Sequence, residues 1–284
     1  MHSYTRLISY ILIICALGFP LIMKYTIEPG RLRSAEIAFD VIENTKVKSG
    51  QIALVAFDFS PSTRAENESQ ARVILEHFFR KRIPVIVFTL VPLAEIFLAT
   101  VPNEIAVSLS KSDQNQKWEY GKDWVNLGFR PGAALFLQGI GKSENLAQLF
   151  GKDINGTELN VLPAFKQLKD IRNIEFVAEF SGSPAIGGYI QFLQHEGYAP
   201  KLIYGPTSIM IPQSYIYLDS GQLSGLLEGI SGAAWYAKLL GDKYGELSDK
   251  KALILNSSLG VAQLLVLVFI FAGNIFDFFK GLMR

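Results

Sequence analysis

The chain predicts an α/β fold: a doubly wound, mostly parallel, Rossmann-like sheet domain carried between two apolar helices. Three observations carry that expectation. Short, continuously apolar runs such as Ile52–Phe57 alternate with segments of helical period, which is the pattern of strands buried on both faces of a parallel sheet. The order strand, helix, strand repeats along the middle of the chain and implies right-handed crossovers. Finally, Leu7–Met23 and Ala252–Phe276 contain no charged residue. A bilayer core of about 30 Å needs roughly 20 mostly apolar helical residues, so both stretches have the length of membrane spans.

The first span follows a short head carrying Arg6. The segment Ala16–Met23 has no small-x-small cleavage site, so residues 1–24 are expected to be an uncleaved anchor rather than a signal peptide. Residues 25–50 form a juxtamembrane linker containing Pro29-Gly30, then a helix from Ser34 to about Glu43 with Ile37, Val41 and Ile42 as its apolar positions. Ile52–Phe57, ending at Asp58, is the first strand. Thr63-x-x-Glu66 is a capping box opening a helix with Ala71, Ile74, Leu75 and Phe78 on one face. Pro84–Leu90 is the second strand, Ala133–Gln138 the third, Ile174–Phe180 the fourth, and Lys201–Tyr204 begins the fifth. Lys111–Asp123 and Gly151–Asn160 read as polar surface insertions. The α/β domain is thus expected over 51–250 and the second membrane helix over 252–279.

Composition narrows the function classes. A formal net charge of +1 lacks the excess of a nucleic-acid binder. The single cysteine, Cys15, lies inside the first apolar run, which leaves neither an intrachain disulfide nor a cysteine-based zinc site. Lys24, Arg31 and Arg33 after the first span, with Lys243, Lys250 and Lys251 before the second, put the domain on the cytoplasmic side of the cytoplasmic membrane by positive-inside counting. Arg6 ahead of the first run fits an outward-facing signal anchor as well, so the side stays open.

In an open α/β sheet ligands gather at the carboxyl ends of the strands, and four groups there are worth reading. Asp58-Phe59-Ser60-Pro61-Ser62-Thr63 resembles the D-x-S-x-S element of von Willebrand factor A-type domains, in which an Asp and two hydroxyls hold a divalent cation. The competing reading gives Ser60-Pro61 to a turn and Thr63 to the helix cap, and no later strand ends in the T-D-G that completes such a site. Gly139-Ile140-Gly141-Lys142-Ser143 has the tail of a phosphate-binding loop, but Phe136 stands where its first glycine belongs; a tight turn before a helix explains it as well. Ser181-Gly182-Ser183-Pro184 precedes a helix expected to run to His195, and is either an anion site at that helix start or an N-cap. Glu175 and Glu179 share a strand face, lining a cleft or marking an edge. His77 lies within a helix, and neither it nor His2 or His195 pairs with a nucleophile, so no catalytic residue is named. The ligand-binding candidates are Asp58, Ser60, Ser62, Ser181 and Ser183. No cofactor is predicted apart from the divalent cation that Asp58 suggests.

The last feature is a small-residue repeat: Gly221, Gly225, Gly229, Ala233, Ala237 and Gly241 recur every four residues behind Asp219-x-x-Gln222. On one helix, 220–241, that spacing lays a narrow stripe open to close backbone approach. The stripe predicts either a helix lying tight on the sheet, self-association with another copy or subunit, or a re-entrant membrane segment. Together with the two spans it favours a non-catalytic, oligomerising component of a membrane assembly; the alternative is a membrane-tethered ligand-, metal- or nucleotide-binding domain acting as enzyme or sensor.

Residues 58–63, 120–132 (Tyr-Gly-Lys-Asp-Trp-Val-Asn-Leu-Gly-Phe-Arg-Pro-Gly) and 221–229 together resemble a family of prokaryotic membrane-anchored α/β proteins without an assigned function. That resemblance implies the architecture and nothing about chemistry.

Overall fold

A computed structural model describes residues 2–112, 116–194 and 197–282. In chain order the elements are α1 (His2–Met23), α2 (Arg33–Asn44), β1 (Ile52–Asp58), α3 (Arg64–Arg80), β2 (Val85–Thr89), α4 (Glu95–Ser112), β3 (Trp124–Phe129), α5 (Ala133–Lys142) and α6 (Leu146–Phe150). They are followed by β4 (Ile174–Ser181), α7 (Ile186–Leu193), β5 (Lys201–Pro206), α8 (Ile211–Asp219), β6 (Gly225–Leu226), α9 (Gly229–Tyr244) and α10 (Lys251–Leu282). The six strands form one sheet in the order β3-β2-β1-β4-β5-β6, every pair parallel. This is the doubly wound order, in which the winding reverses between β1 and β4.

Both faces of the sheet are dry. On one, Ala53, Val55 and Phe57 of β1 join Val85, Val87, Phe176 and Phe180 in a core closed by α2, α3, α4 and α9. On the other, Leu54, Ala56, Ile86, Phe88 and Val177 pack under α5, α6 and α7. All seven β1 residues are buried, as its continuous apolar run requires of a central strand.

The third strand differs from expectation. Residues 133–142 are α5, and β3 is Trp124–Phe129. A six-residue apolar run such as Ala-Ala-Leu-Phe-Leu-Gln reads equally as strand or buried helix. The true strand is broken up by Asn126 and by Gly128 with φ +69°, and its apolar pattern is correspondingly weak. Gly139, Gly141 and Lys142 therefore lie inside the last turns of a helix, where Gly139 faces Leu149 at 3.2 Å from an added Cβ. They form neither a phosphate loop nor a turn.

The Thr63/Glu66 capping box is not made either. Thr63 precedes α3 without a side-chain cap, and the Glu66 carboxylate instead accepts the Ser208 N–H (2.8 Å) and hydroxyl (2.5 Å) after β5. A long-range partner has taken the side chain that the local motif assigned to the helix end. Residues 67–79 of α3 are buried on every side, because the sheet, α4, α9 and the start of α10 surround them.

The small-residue repeat is split among three elements. Gly221 sits in a turn at φ +76°, Gly225 lies on β6, and Gly229 opens α9 at φ +55°. Asp219 ends α8 rather than capping a helix. An added Cβ at Gly225 stands 2.5 Å from Ala38 Cβ, and one at Gly229 stands 2.6 Å from Glu66 Oε2 and Ser208 Oγ. Ala233 and Ala237 are buried in the core. Gly225 and Gly229 thus approach α2 and the loop after β5 of the same chain rather than sharing the face of one helix.

Among the described residues three helices are long and apolar enough to cross a membrane: Arg6–Met23, Pro92–Ser112 and Lys251–Ile275, with mean hydropathies of 2.1, 1.3 and 2.2. The middle one, largely α4, lays Phe97, Leu98, Val101, Ile105 and Leu109 into the sheet core. The outer two pair with each other in antiparallel sense. Ser258 donates to the Leu17 carbonyl at 2.6 Å, and Leu21 and Lys24 face Lys251, Ile254 and Leu255 across a cavity of about 510 Å³.

Candidate functional site

The predicted ligand residues share the C-terminal edge of the sheet, at the point where the winding reverses. Asp58 ends β1 and stands in register with Ser181 at the end of β4. The loops beyond them converge: an added Cβ on Gly182 lies 2.8 Å from Thr63 Cγ2 and 3.3 Å from Thr207 Cγ2. The Ser60 and Ser62 hydroxyls bond to each other at 2.7 Å, and the Ser181 hydroxyl donates to the Ser183 carbonyl at 2.8 Å. The parallel ladder thus brings residues more than a hundred positions apart into one edge, which local spacing does not encode.

Asp58 points inward. It is buried, and accepts the Leu90 N–H at 2.7 Å on one oxygen and the Tyr189 hydroxyl at 2.5 Å on the other. The D-x-S-x-S set is therefore not gathered as a cation cradle, since its acid is turned away to a backbone donor and a tyrosine on α7. Among the described residues no group of three or more His, Cys, Asp and Glu converges as metal ligands.

The acid that faces Asp58 is Glu179. It lies on the same side of β4, in register with Ala56 of β1 and Tyr204 of β5. Its side chain is fully buried, and neither carboxyl oxygen has a hydrogen-bond partner. Burial first, then the negative charge of Asp58, pushes Glu179 well above the ordinary carboxylate range. Burial also raises Asp58, to about 6, against the opposing effect of its Tyr189, Leu90 and Thr89 hydrogen bonds. Three donors oppose the burial of Asp58 and only the nearby Ser181 hydroxyl opposes that of Glu179, so of the two acids Glu179 is the one held toward its protonated form. Tyr189 and Tyr204 close the site from α7 and β5, and burial raises both phenols and keeps them protonated.

The sequence places Asp58, Ser60, Ser62, Ser181 and Ser183 at this edge, whereas Tyr189, Tyr204 and Thr89 carry no local signal for it. Its signal for Glu179 was present, an acid inside the apolar run Ile174–Phe180, but was read together with Glu175. The two do not share the site: Ile52 pairs with Ile174 and Ala53 with Phe176, so a bulge at Glu175 shifts the strand. Glu175 pairs with Lys201 near the opposite edge, and β4 is a central strand. His195 lies outside the described residues.

His77 is structural. It is wholly buried, its Nδ1 2.5 Å from the Tyr236 hydroxyl and its Nε2 2.9 Å from Glu43. Glu43 is held near 2 by Tyr244, His77 and Lys81 against its partial burial, and burial lowers His77 to about 4. The imidazole is therefore neutral, donating from Nε2 to the carboxylate and accepting from the phenol.

Comparison with protein families, with curated proteins and with solved structures finds no match to this chain.

Proposed function

We propose that the chain is a membrane-tethered binding domain: α1 and α10 cross a bilayer, and the crevice between β1 and β4 receives a small cationic ligand, a protonated amine or a metal cation. The observation that carries this reading is Glu179, buried and unpartnered beside Asp58. A buried polar group without a partner costs about 1–3 kcal/mol, and an ionised one costs far more. Groups kept at that cost concentrate at functional sites, and the topological switch point is where open α/β sheets bind ligands. A cation entering here displaces the Glu179 proton and satisfies both acids at once. The hydroxyls of Ser60, Ser62 and Ser183 border its route in, on loops that are partly or fully exposed.

The test is thermal unfolding of the full chain in lipid nanodiscs with magnesium, sodium or a short aliphatic diamine, for wild type and Glu179→Gln. A ligand at a hundredfold excess over its dissociation constant stabilises by about 2.7 kcal/mol. One of these classes is expected to stabilise the wild type and not the variant. Equal responses of the two proteins to all three would refute the assignment.

A further inference from the structure

The elements that lead to α1 and α10 define which face of the domain meets the membrane. After α9 the chain doubles back along α3. Glu246 meets Arg80, Ser248 meets Glu76, Asp249 meets Arg72 at 2.9 Å, and Lys251 meets Glu68 at 2.5 Å. It therefore climbs toward the start of α3, which follows the C-terminal end of β1. One turn further on, Asn256 lies 3.0 Å from Ser231 at the start of α9. The chain from α1 arrives at the same level, since Ser34 at the start of α2 donates to Glu228 at 2.6 Å, directly after β6. Both apolar helices thus leave from the side of the strand C-termini.

That edge has an unusual surface. The connections 59–63, 90–94, 130–135, 182–185 and 207–212 leave the C-terminal ends of five strands and contain one charged residue, Arg130. At the opposite edge, the connections 45–51, 81–84 and 166–173 contain eight. The C-terminal loops also expose large apolar side chains. Leu93 is 63% exposed, Ile96 just beyond it 64%, Leu135 76% and Ile209 89%. These come from the loops and first helical turns after β2, β3 and β5, so the apolar groups belong to several elements rather than one. Charge stands only at the margins of these loops, at Arg64, Glu95 and Arg130, and a set of exposed apolar side chains on a surface so poor in charge marks an interaction site.

We infer that this edge rests on the lipid bilayer, with Leu93, Ile96, Leu135 and Ile209 dipping into the headgroup–acyl boundary beside α1 and α10. The inference rests on the proposed spanning of α1 and α10, and it extends that reading from two anchors to a docked face. Interfacial apolar groups reach about 5–10 Å into the boundary region, which is the depth of a loop tip. Lys24 and Lys250, lining the cavity at the foot of the helix pair, stand where anionic headgroups attract cations.

The experiment places an environment-sensitive fluorophore on single cysteines at Leu93, Leu135 and Ile209, with Ser49 at the opposite edge and Ile270 within α10 as references, on a Cys15→Ser background. The full chain is reconstituted in phosphatidylcholine–phosphatidylglycerol vesicles with and without spin-labelled lipid. These sites are exposed, so labelling leaves the core intact. Blue-shifted emission and lipid-borne quenching at Leu93, Leu135 and Ile209, both greater than at Ser49, are expected. Quenching at Ile270 with the three edge positions indistinguishable from Ser49 would overturn docking while leaving the spans in place. No quenching at Ile270 would remove the spans themselves, and docking with them.

Discussion

Replacing Asp58 by Asn isolates the energetic cost of the acid pair. An acid whose folded-state affinity for protons rises binds its proton more tightly folded than unfolded, so it weakens the fold as pH climbs. For Asp58, moved from 3.8 to about 6, the loss begins near pH 4 and is complete above pH 6. At about 1.4 kcal/mol per tenfold change in proton affinity, it amounts to roughly 3 kcal/mol. His77 acts in the opposite sense over the same window. Lowered from 6.5 to about 4, it contributes its full stability above pH 6.5, and that contribution is lost as pH falls toward 4, again by roughly 3 kcal/mol. His77 thus offsets Asp58 over this window, while Glu179, raised as well, adds to the loss as pH climbs. The difference between Asp58→Asn and wild type removes the histidine and leaves the acid. Asn keeps an acceptor for the Leu90 N–H, and Tyr189 is able to reverse its hydrogen bond, so the variant folds. Thermal unfolding of the full chain in nanodiscs, followed by tryptophan fluorescence between pH 4 and 7, is the assay. A domain of this size moves about 2–4 °C per kcal/mol, so the variant is expected to gain roughly 6–12 °C on wild type across that range. Parallel profiles would show that Asp58 does not titrate there and would refute its raised proton affinity.

Two further outcomes follow from the packing. Glu68→Gln breaks a carboxylate that is wholly buried between Arg64, Arg72 and Lys251, and breaking a buried pair typically costs about 3–5 kcal/mol. Because its partners hold Glu68 near 2 against burial, that stabilisation is present above about pH 4.5 and disappears toward pH 2, so denaturant unfolding of variant and wild type should converge only in strong acid. Gly225→Ala puts a methyl 2.5 Å from Ala38, and overpacking of this kind costs about 1–3 kcal/mol. A lowered unfolding temperature with unchanged oligomeric mass would show that the repeat packs within the protomer, whereas unchanged stability with altered mass would show a contact between copies.

Much of the fold was legible because its signals are local. Strands buried on both faces must be continuously apolar, and Ile52–Phe57, Pro84–Leu90 and Ile174–Phe180 announced themselves for that reason. The errors fall where a local signal has two physical readings. A six-residue apolar run fits strand or helix, which misplaced Ala133–Gln138. A four-residue glycine repeat presumes a helix, and positive φ at Gly221 and Gly229 breaks it. Thr63 and Glu66 have the spacing of a cap, yet Ser208, more than 140 residues away, supplies Glu66 with better donors.

The sequence by itself determined the apolar ends, the α/β alternation and the hydroxyl- and acid-bearing strand termini, since length, hydropathy and period are properties of short segments. Only the tertiary structure decided that β1 lies beside β4, because strand order depends on how crossovers pack and not on any one of them. That adjacency sets Asp58 against Glu179, and burial together with the Asp58 charge favours the protonated form of Glu179. It also gathers five nearly uncharged loops into one edge on the side from which both apolar helices depart. The two ends of the chain, seen first as anchors, thereby acquire a face of the domain that belongs with them.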